Sequence, residues 1–223
     1  MDIKNFSNLY TSDYFLSRCG NDFKRLRSFH DELNFINDYV DLDGVVCDIG
    51  CSTGEFLKEI GWRGPKFGME INDEVIAIAQ KSGIGFEKNI LTELDFFDVV
   101  IFRGTIQHLP EPFYYLSKAY DSLKRGGVII LLATPNANSL VYKFFNNLPM
   151  LNPKLNFYIP SDITLQNVLI NFNFKLIKIE YPYLKSPYRN LISDHYLFIK
   201  SIIFGHFYKF SFWKSMMNIM ARK

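Results

Sequence analysis

The residues Val45-Val46-Cys47-Asp48-Ile49-Gly50 form an apolar run too short for a buried helix and stopped by glycine. Such a run suits a strand covered on both faces. The pattern recurs at residues 66–71, 97–102 and 127–134, with amphipathic stretches between, at about 54–61, 72–82 and 112–124. Strands alternating with helices predict an α/β fold built on a parallel sheet with right-handed crossovers.

Around this frame the chain reads as one domain over residues 1–223, since 48% hydrophobic and 22% charged residues suffice for a substantial core. Residues 1–40 read as a helical cap, with Leu26, Phe29, Leu33 and Ile36 at helical spacing, and residues 41–135 as the ligand-binding half. Residues 136–223 read as an acceptor-binding half with a helical insertion at about 185–211. Within that half, residues 135–160 hold several prolines and asparagines and suit a surface connection with a short helix at Leu140 to Phe145. Ser161 opens a helix through Phe172, residues 174–181 alternate as a strand, and 213–221 read as a last strand. The net charge of +2 gives no reason to expect a nucleic-acid partner. Three cysteines and an opening MDIKNFSNLY without a basic-then-apolar leader point to a reducing, cytoplasmic setting. No uncharged span of membrane length is present, and no metal site is expected.

Parallel sheets bind ligands beyond the carboxyl ends of their strands, where the first strand turns into its helix. Asp48-Ile49-Gly50-Cys51-Ser52-Thr53-Gly54-Glu55 occupies that place. Gly50 and Gly54 allow a sharp turn and a ligand lying against the main chain. Glu70, sixteen residues past Gly54, ends the second strand, where a carboxylate can accept from both ribose hydroxyls. A dinucleotide fingerprint would need glycine where Ser52 and Glu55 stand, and Glu55 would repel a diphosphate at the helix start. Asp48 and Glu55 suit instead a ligand carrying an ammonium and a sulfonium.

The residues Val46 to Gly54, Glu70, Phe97-Asp98-Val99-Val100 and Leu123-Lys124-Arg125-Gly126-Gly127 together resemble the class I S-adenosylmethionine-dependent methyltransferases. The resemblance implies a Rossmann-like, seven-stranded, mostly parallel sheet with the last strand antiparallel and helices on both faces. It implies S-adenosylmethionine as methyl donor, with the acceptor above strands four and five. Asp48, Gly50, Cys51 and Gly54 are thereby assigned to the methionine half, Glu70 to the ribose, Ile71 to packing on the adenine and Asn89 to the adenine amino group. Arg103 and Gln107 join the cofactor site. Within the family the motif order looks most like small-molecule and sugar O-methyltransferases, including those of surface-polysaccharide clusters. A small-molecule acceptor, a sugar or a nucleotide-linked intermediate, is the expected partner.

On the acceptor side, family geometry puts His108, in Thr105-Ile106-Gln107-His108-Leu109-Pro110, near the methyl group as the base that takes a hydroxyl proton. Arg103 at a buried strand end must find an anion: Glu70, the cofactor carboxylate or an acidic acceptor. Methylation of an oxyanion held by Arg103 and Arg189 therefore stands as the alternative, and a non-catalytic binding module as another. Tyr14, Tyr158, Arg189 and His195 are candidate acceptor contacts, and residues 181–196 read either as a lid or as a connection with packed tyrosines. Past Asp194 the chain has five basic residues, interleaved with aromatics, and no acid. This segment fits either contact with an anionic membrane surface or a core helix with a solvated basic face.

Overall fold

The computed structural model describes residues 22–86 and 90–223. Tyr14 and Asn89 therefore lie outside the described residues. A helix, α1 (Phe23–Ile36), leads into β1 (Val46–Ile49), α2 (Glu55–Glu59), β2 (Lys66–Met69), α3 (Asp73–Lys81) and β3 (Ile84–Gly85). Then follow β4 (Phe97–Arg103), a 3-10 turn at Ile106–His108, α4 (Pro112–Ser122), β5 (Leu123–Pro135), α5 (Leu140–Phe145), α6 (Asp162–Asn171), β6 (Lys175–Glu180), α7 (Leu191–Phe204) and β7 (Met216–Arg222). The seven strands run in the order β3-β2-β1-β4-β5-β7-β6, and β7 alone is antiparallel to its neighbours. The expected fold class is the observed one.

Alternation along the strands supplies both layers. Val100 and Phe102 of β4, with Ile129 and Leu131 of β5, face Leu116 of α4 and Leu165 and Leu169 of α6. Their neighbours Val99, Ile101, Ile130 and Leu132 face Phe29 of α1 and Phe56 and Leu57 of α2. A strand covered on both sides is apolar at nearly every position, as Val99 to Phe102 and Val128 to Leu132 are, so the charged Asp48 inside β1 stands out.

Two features differ from expectation beyond shifts of a few residues at element ends. β5 begins at Leu123 rather than at residue 127, because Leu123 pairs with Phe97 ahead of an irregularity at Asp98, whose carboxylate Lys124 holds at 2.8 and 2.9 Å. The second difference is α7. It is not a core helix with a solvated basic face: Ile192, Tyr196, Ile199 and Ile203 point outward, while Leu197 and Phe198 pack inward on an aromatic cluster with Phe145, Phe207, Phe210 and Phe212. Among the described residues no helix is long and apolar enough to cross a membrane.

Candidate functional site

Ligand space in this sheet opens where the strand order reverses, between β1 and β4. A cleft of about 1120 Å³, its mouth included, lies there over the carboxyl ends of β1, β2 and β4. The turn after β1 forms its floor. Gly50, Ser52 and Gly54 all adopt positive φ (75°, 50° and 74°), which packs three left-handed residues into one reversal. A Cβ on Gly50 would lie 2.6 Å from the Thr105 side chain, so glycine keeps the two strand ends in contact. Gly54 does not line the cleft. Its missing Cβ leaves room for Ile84, 2.8 Å away, so Gly54 is a packing glycine at the start of α2.

Glu70 follows β2 and braces the turn from the side. The Ser52 amide donates to its Oε2 at 3.1 Å and the Ile71 amide to its Oε1 at 2.7 Å. The Asn72 amide bonds the carboxylate as well, so three backbone donors hold it and acceptor capacity for one further donor remains. Burial is the main cause that raises the Glu70 carboxyl above the usual range, against the backbone donors that lower it. Ile71 is 46% exposed and presents an apolar surface to the cleft.

Asp48 is a strongly perturbed carboxylate of the site. It is 2% exposed, and its Oδ1 has no hydrogen-bond partner. Burial pushes its carboxyl up to about 7; Arg103 pulls it down, and the nearby Glu70 and Glu32 carboxylates add to the rise. A buried polar atom without a partner is costly unless a ligand satisfies it. Asp48 lines the cleft, as do Cys51, Glu55 and Phe56.

Arg103 finds its anion in an unforeseen place. Glu32 of α1 accepts from its Nε at 2.6 Å and from a terminal nitrogen at 3.2 Å, while Phe29 lies 4.4 Å beneath the guanidinium. Neither Glu70 nor a ligand is required, and an oxyanion clamp built on Arg103 loses its free charge. Glu55 is likewise neutralised: Arg25 donates to it at 2.8 Å, so Glu55 is not an open anion for a cationic ligand. Arg25 lines the cleft and was not among the expected residues. Its place depends on the rotation of α1 against α2, which local sequence does not record.

His108 lines the cleft together with Thr105, Leu109 and Tyr115. Its Nδ1 lies 2.8 Å from the Leu155 carbonyl, which can only accept, so Nδ1 carries the hydrogen and Nε2 is the basic nitrogen of the neutral ring. The 135–160 connection thus sets the tautomer of a cleft residue. Gln107 points the other way, buried, its amide donating to the Gly104 carbonyl at 2.8 Å.

The other acceptor candidates are not brought to the cleft. Tyr158 packs edge-on against Phe113 at 5.4 Å. Exposed Arg189 donates to the Leu184 carbonyl of its own loop. His195, also exposed, has Nδ1 2.6 Å from the Leu191 carbonyl one turn back and lies tilted against the Phe212 ring at 5.2 Å. The Tyr181 and Tyr183 hydroxyls donate to Asp162 and Asp194. Residues 181–196 are a connection whose Tyr181 and Tyr183 are packed, while Tyr188 reaches α1, 6.0 Å from the Lys24 ammonium and within the field of Arg103, Arg25 and Glu32 beside the cleft.

Comparison with known proteins agrees with this geometry. A family model described as a methyltransferase domain matches residues 21–179. A ubiquinone biosynthesis O-methyltransferase of Pseudomonas savastanoi pv. phaseolicola is 29% identical over 125 residues, covering 50% of this chain and 53% of that protein. A tRNA U34 carboxymethyltransferase of Desulfotalea psychrophila is 29% identical over 141 residues, covering 57% and 44%. The chain spans about half the length of the curated relatives it matches. In fold it is similar to a magnesium protoporphyrin IX methyltransferase of Synechocystis PCC 6803 with bound S-adenosylhomocysteine (TM-score 0.65, 14% identity, all of both chains covered). A methyltransferase of Thermotoga maritima, titled a possible histamine N-methyltransferase, has a TM-score of 0.64 at 18% identity over 94% of this chain and 98% of that one. With more than half of the chain matched, and with the seven-stranded sheet and the glycine turn beneath it, this protein belongs to the methyltransferase-domain family, whose class I members take S-adenosylmethionine as cofactor.

Proposed function

We propose that this protein methylates a hydroxyl of a small-molecule acceptor, with S-adenosylmethionine in the cleft and His108 as the proton acceptor. The observation that carries the reading is the buried Asp48 Oδ1, unpartnered at the floor of the cleft. An ammonium or an amide donor of the ligand would satisfy it. Glu70 has acceptor capacity left for a ribose hydroxyl, Ile71 an apolar face for the adenine, and Gly50 the left-handed turn that holds the β1 end against Thr105. Cys51 completes the floor. When bound, the cofactor supplies an electrophilic methyl group on its sulfonium.

A hydroxyl attacks best as it loses its proton, and a neutral imidazole with a basic Nε2 can take it. Leu155 holds the His108 ring in that tautomer. The oxyanion alternative has less support, since both arginines of the cleft, Arg25 and Arg103, are already paired with carboxylates. The surface-polysaccharide acceptor expected from motif order draws no support from the relatives, whose names mention no sugar. The acceptor class therefore rests at a small molecule bearing a hydroxyl.

Titration calorimetry with S-adenosylhomocysteine, followed by an assay for its release from S-adenosylmethionine across small alcohols, phenols and carboxylates, tests the reading. Tight binding that Asp48→Ala abolishes, with turnover on a hydroxyl compound, is expected. Absence of binding would remove the cofactor assignment, and turnover only on carboxylates would replace the hydroxyl.

A further inference from the structure

α7 carries its apolar residues on the wrong side for a globular protein. Ile192, Tyr196, Ile199 and Ile203 are 87%, 62%, 57% and 70% exposed. Their spacing of four, three and four residues places them in one stripe along the helix, opposite the packed Leu197 and Phe198. A solvent-facing stripe of this composition marks an interaction surface.

We propose that this face docks on the surface of an anionic phospholipid bilayer, α7 lying in the interface plane. Charge selects this occupant. Residues 136–223 contain eleven Lys and Arg against three acids, in a chain whose net charge is only +2. None of the three acids opposes the face: Asp162 and Asp194 are buried and take tyrosine hydroxyls, and Glu180 is paired with Lys185 at 2.6 Å. Lys209 and Lys214 are exposed in the segment that follows α7, and Lys200 lies on the flank of the stripe, its ammonium 4.5 Å over the Tyr208 ring. An apolar helix face bordered by lysines is the arrangement that inserts among acyl chains while its cations meet lipid phosphates. Size argues against a second copy of this chain. A 14-residue helix is roughly 21 Å long, and a ridge about 10 Å wide offers on the order of 200 Å². A stable dimer needs about 800 Å² from each partner.

The full chain is centrifuged with vesicles of phosphatidylcholine alone or with added phosphatidylglycerol. Sedimentation with the anionic vesicles is expected, at least tenfold stronger than with phosphatidylcholine and weakened by salt. Ile199→Asp/Ile203→Asp, at exposed positions, should reduce it at least tenfold, and Lys200→Gln/Lys209→Gln/Lys214→Gln should flatten its salt dependence, both with unchanged far-UV circular dichroism and unchanged S-adenosylhomocysteine affinity. Wild-type protein that stays in the supernatant overturns the proposal and leaves the face to another occupant, such as residues 1–21. Equal sedimentation of the Ile199→Asp/Ile203→Asp variant also overturns it, as does light scattering that shows a dimer which this variant dissolves while vesicles leave the protein unbound.

Discussion

At the residue scale, Asp48 ties binding to stability. Its carboxyl is pushed up to about 7 chiefly by burial, so the folded chain holds a proton that the unfolded chain releases near pH 4. The stability contributed by the neutral form is present below about pH 4 and is lost as pH rises to about 7. Asp48→Asn should therefore gain stability over the wild type progressively between pH 4 and 7, on the order of 2–4 kcal/mol at the upper end, read from urea unfolding of the ligand-free proteins. The same variant should bind S-adenosylhomocysteine more weakly, a trade typical of functional sites; equal stability at pH 7.5 would show that the buried carboxylate is satisfied. His108→Gln should lower turnover by about a hundredfold with calorimetric affinity for S-adenosylhomocysteine unchanged, and intact turnover would remove the base. Asp48, Glu70 and His108 were legible because each sits within a few residues of a strand end. The Arg103–Glu32 pair was not, because its partners lie 71 residues apart and meet only through tertiary packing.

At the element scale, α1 is fastened over the cleft by two ion pairs, Arg103–Glu32 and Arg25–Glu55, and by Lys178, which donates to the Phe35 carbonyl at 3.1 Å. The first pair is the buried one, and Arg103 lies between Phe29 of α1 and Phe56 of α2. Removing one partner leaves an uncompensated charge near the sheet. Glu32→Ala should cost about 3–5 kcal/mol, whereas Glu32→Met/Arg103→Met should cost far less because no charge is stranded; equal losses in the two variants, measured by urea unfolding, would contradict this. The strands themselves were legible from short apolar runs, since burial on both faces favours that composition and admits a charge such as Asp48 only where a site needs it. α7 was not, because periodicity reports that one face is apolar without saying whether protein or solvent lies against it. Gly54 teaches the same lesson in reverse: a glycine read as ligand clearance serves to seat Ile84.

For the whole molecule, the two halves of the sheet meet at the β1–β4 boundary, and the cleft draws on β1, β2, β4 and the cap helix together. A ligand there touches elements that are distant in sequence, so it should stabilise the fold as a unit and not one loop. Binding to the native state alone adds RT ln(1 + [L]/Kd), about 2.7 kcal/mol at a hundredfold excess over Kd. For a domain of this length each kcal/mol raises Tm by about 2–4 °C. S-adenosylhomocysteine at that excess should therefore raise Tm by roughly 5–10 °C, with the increment growing as the logarithm of concentration. Hydrogen exchange should slow most in α1 and in residues 50–52 and 55–56, which line the cleft, and change least in α7, none of whose residues line it. A Tm that does not move with ligand would mean the cleft is not the cofactor site. Protection centred on α7 would place the ligand outside the cleft and detach Asp48 from its proposed role.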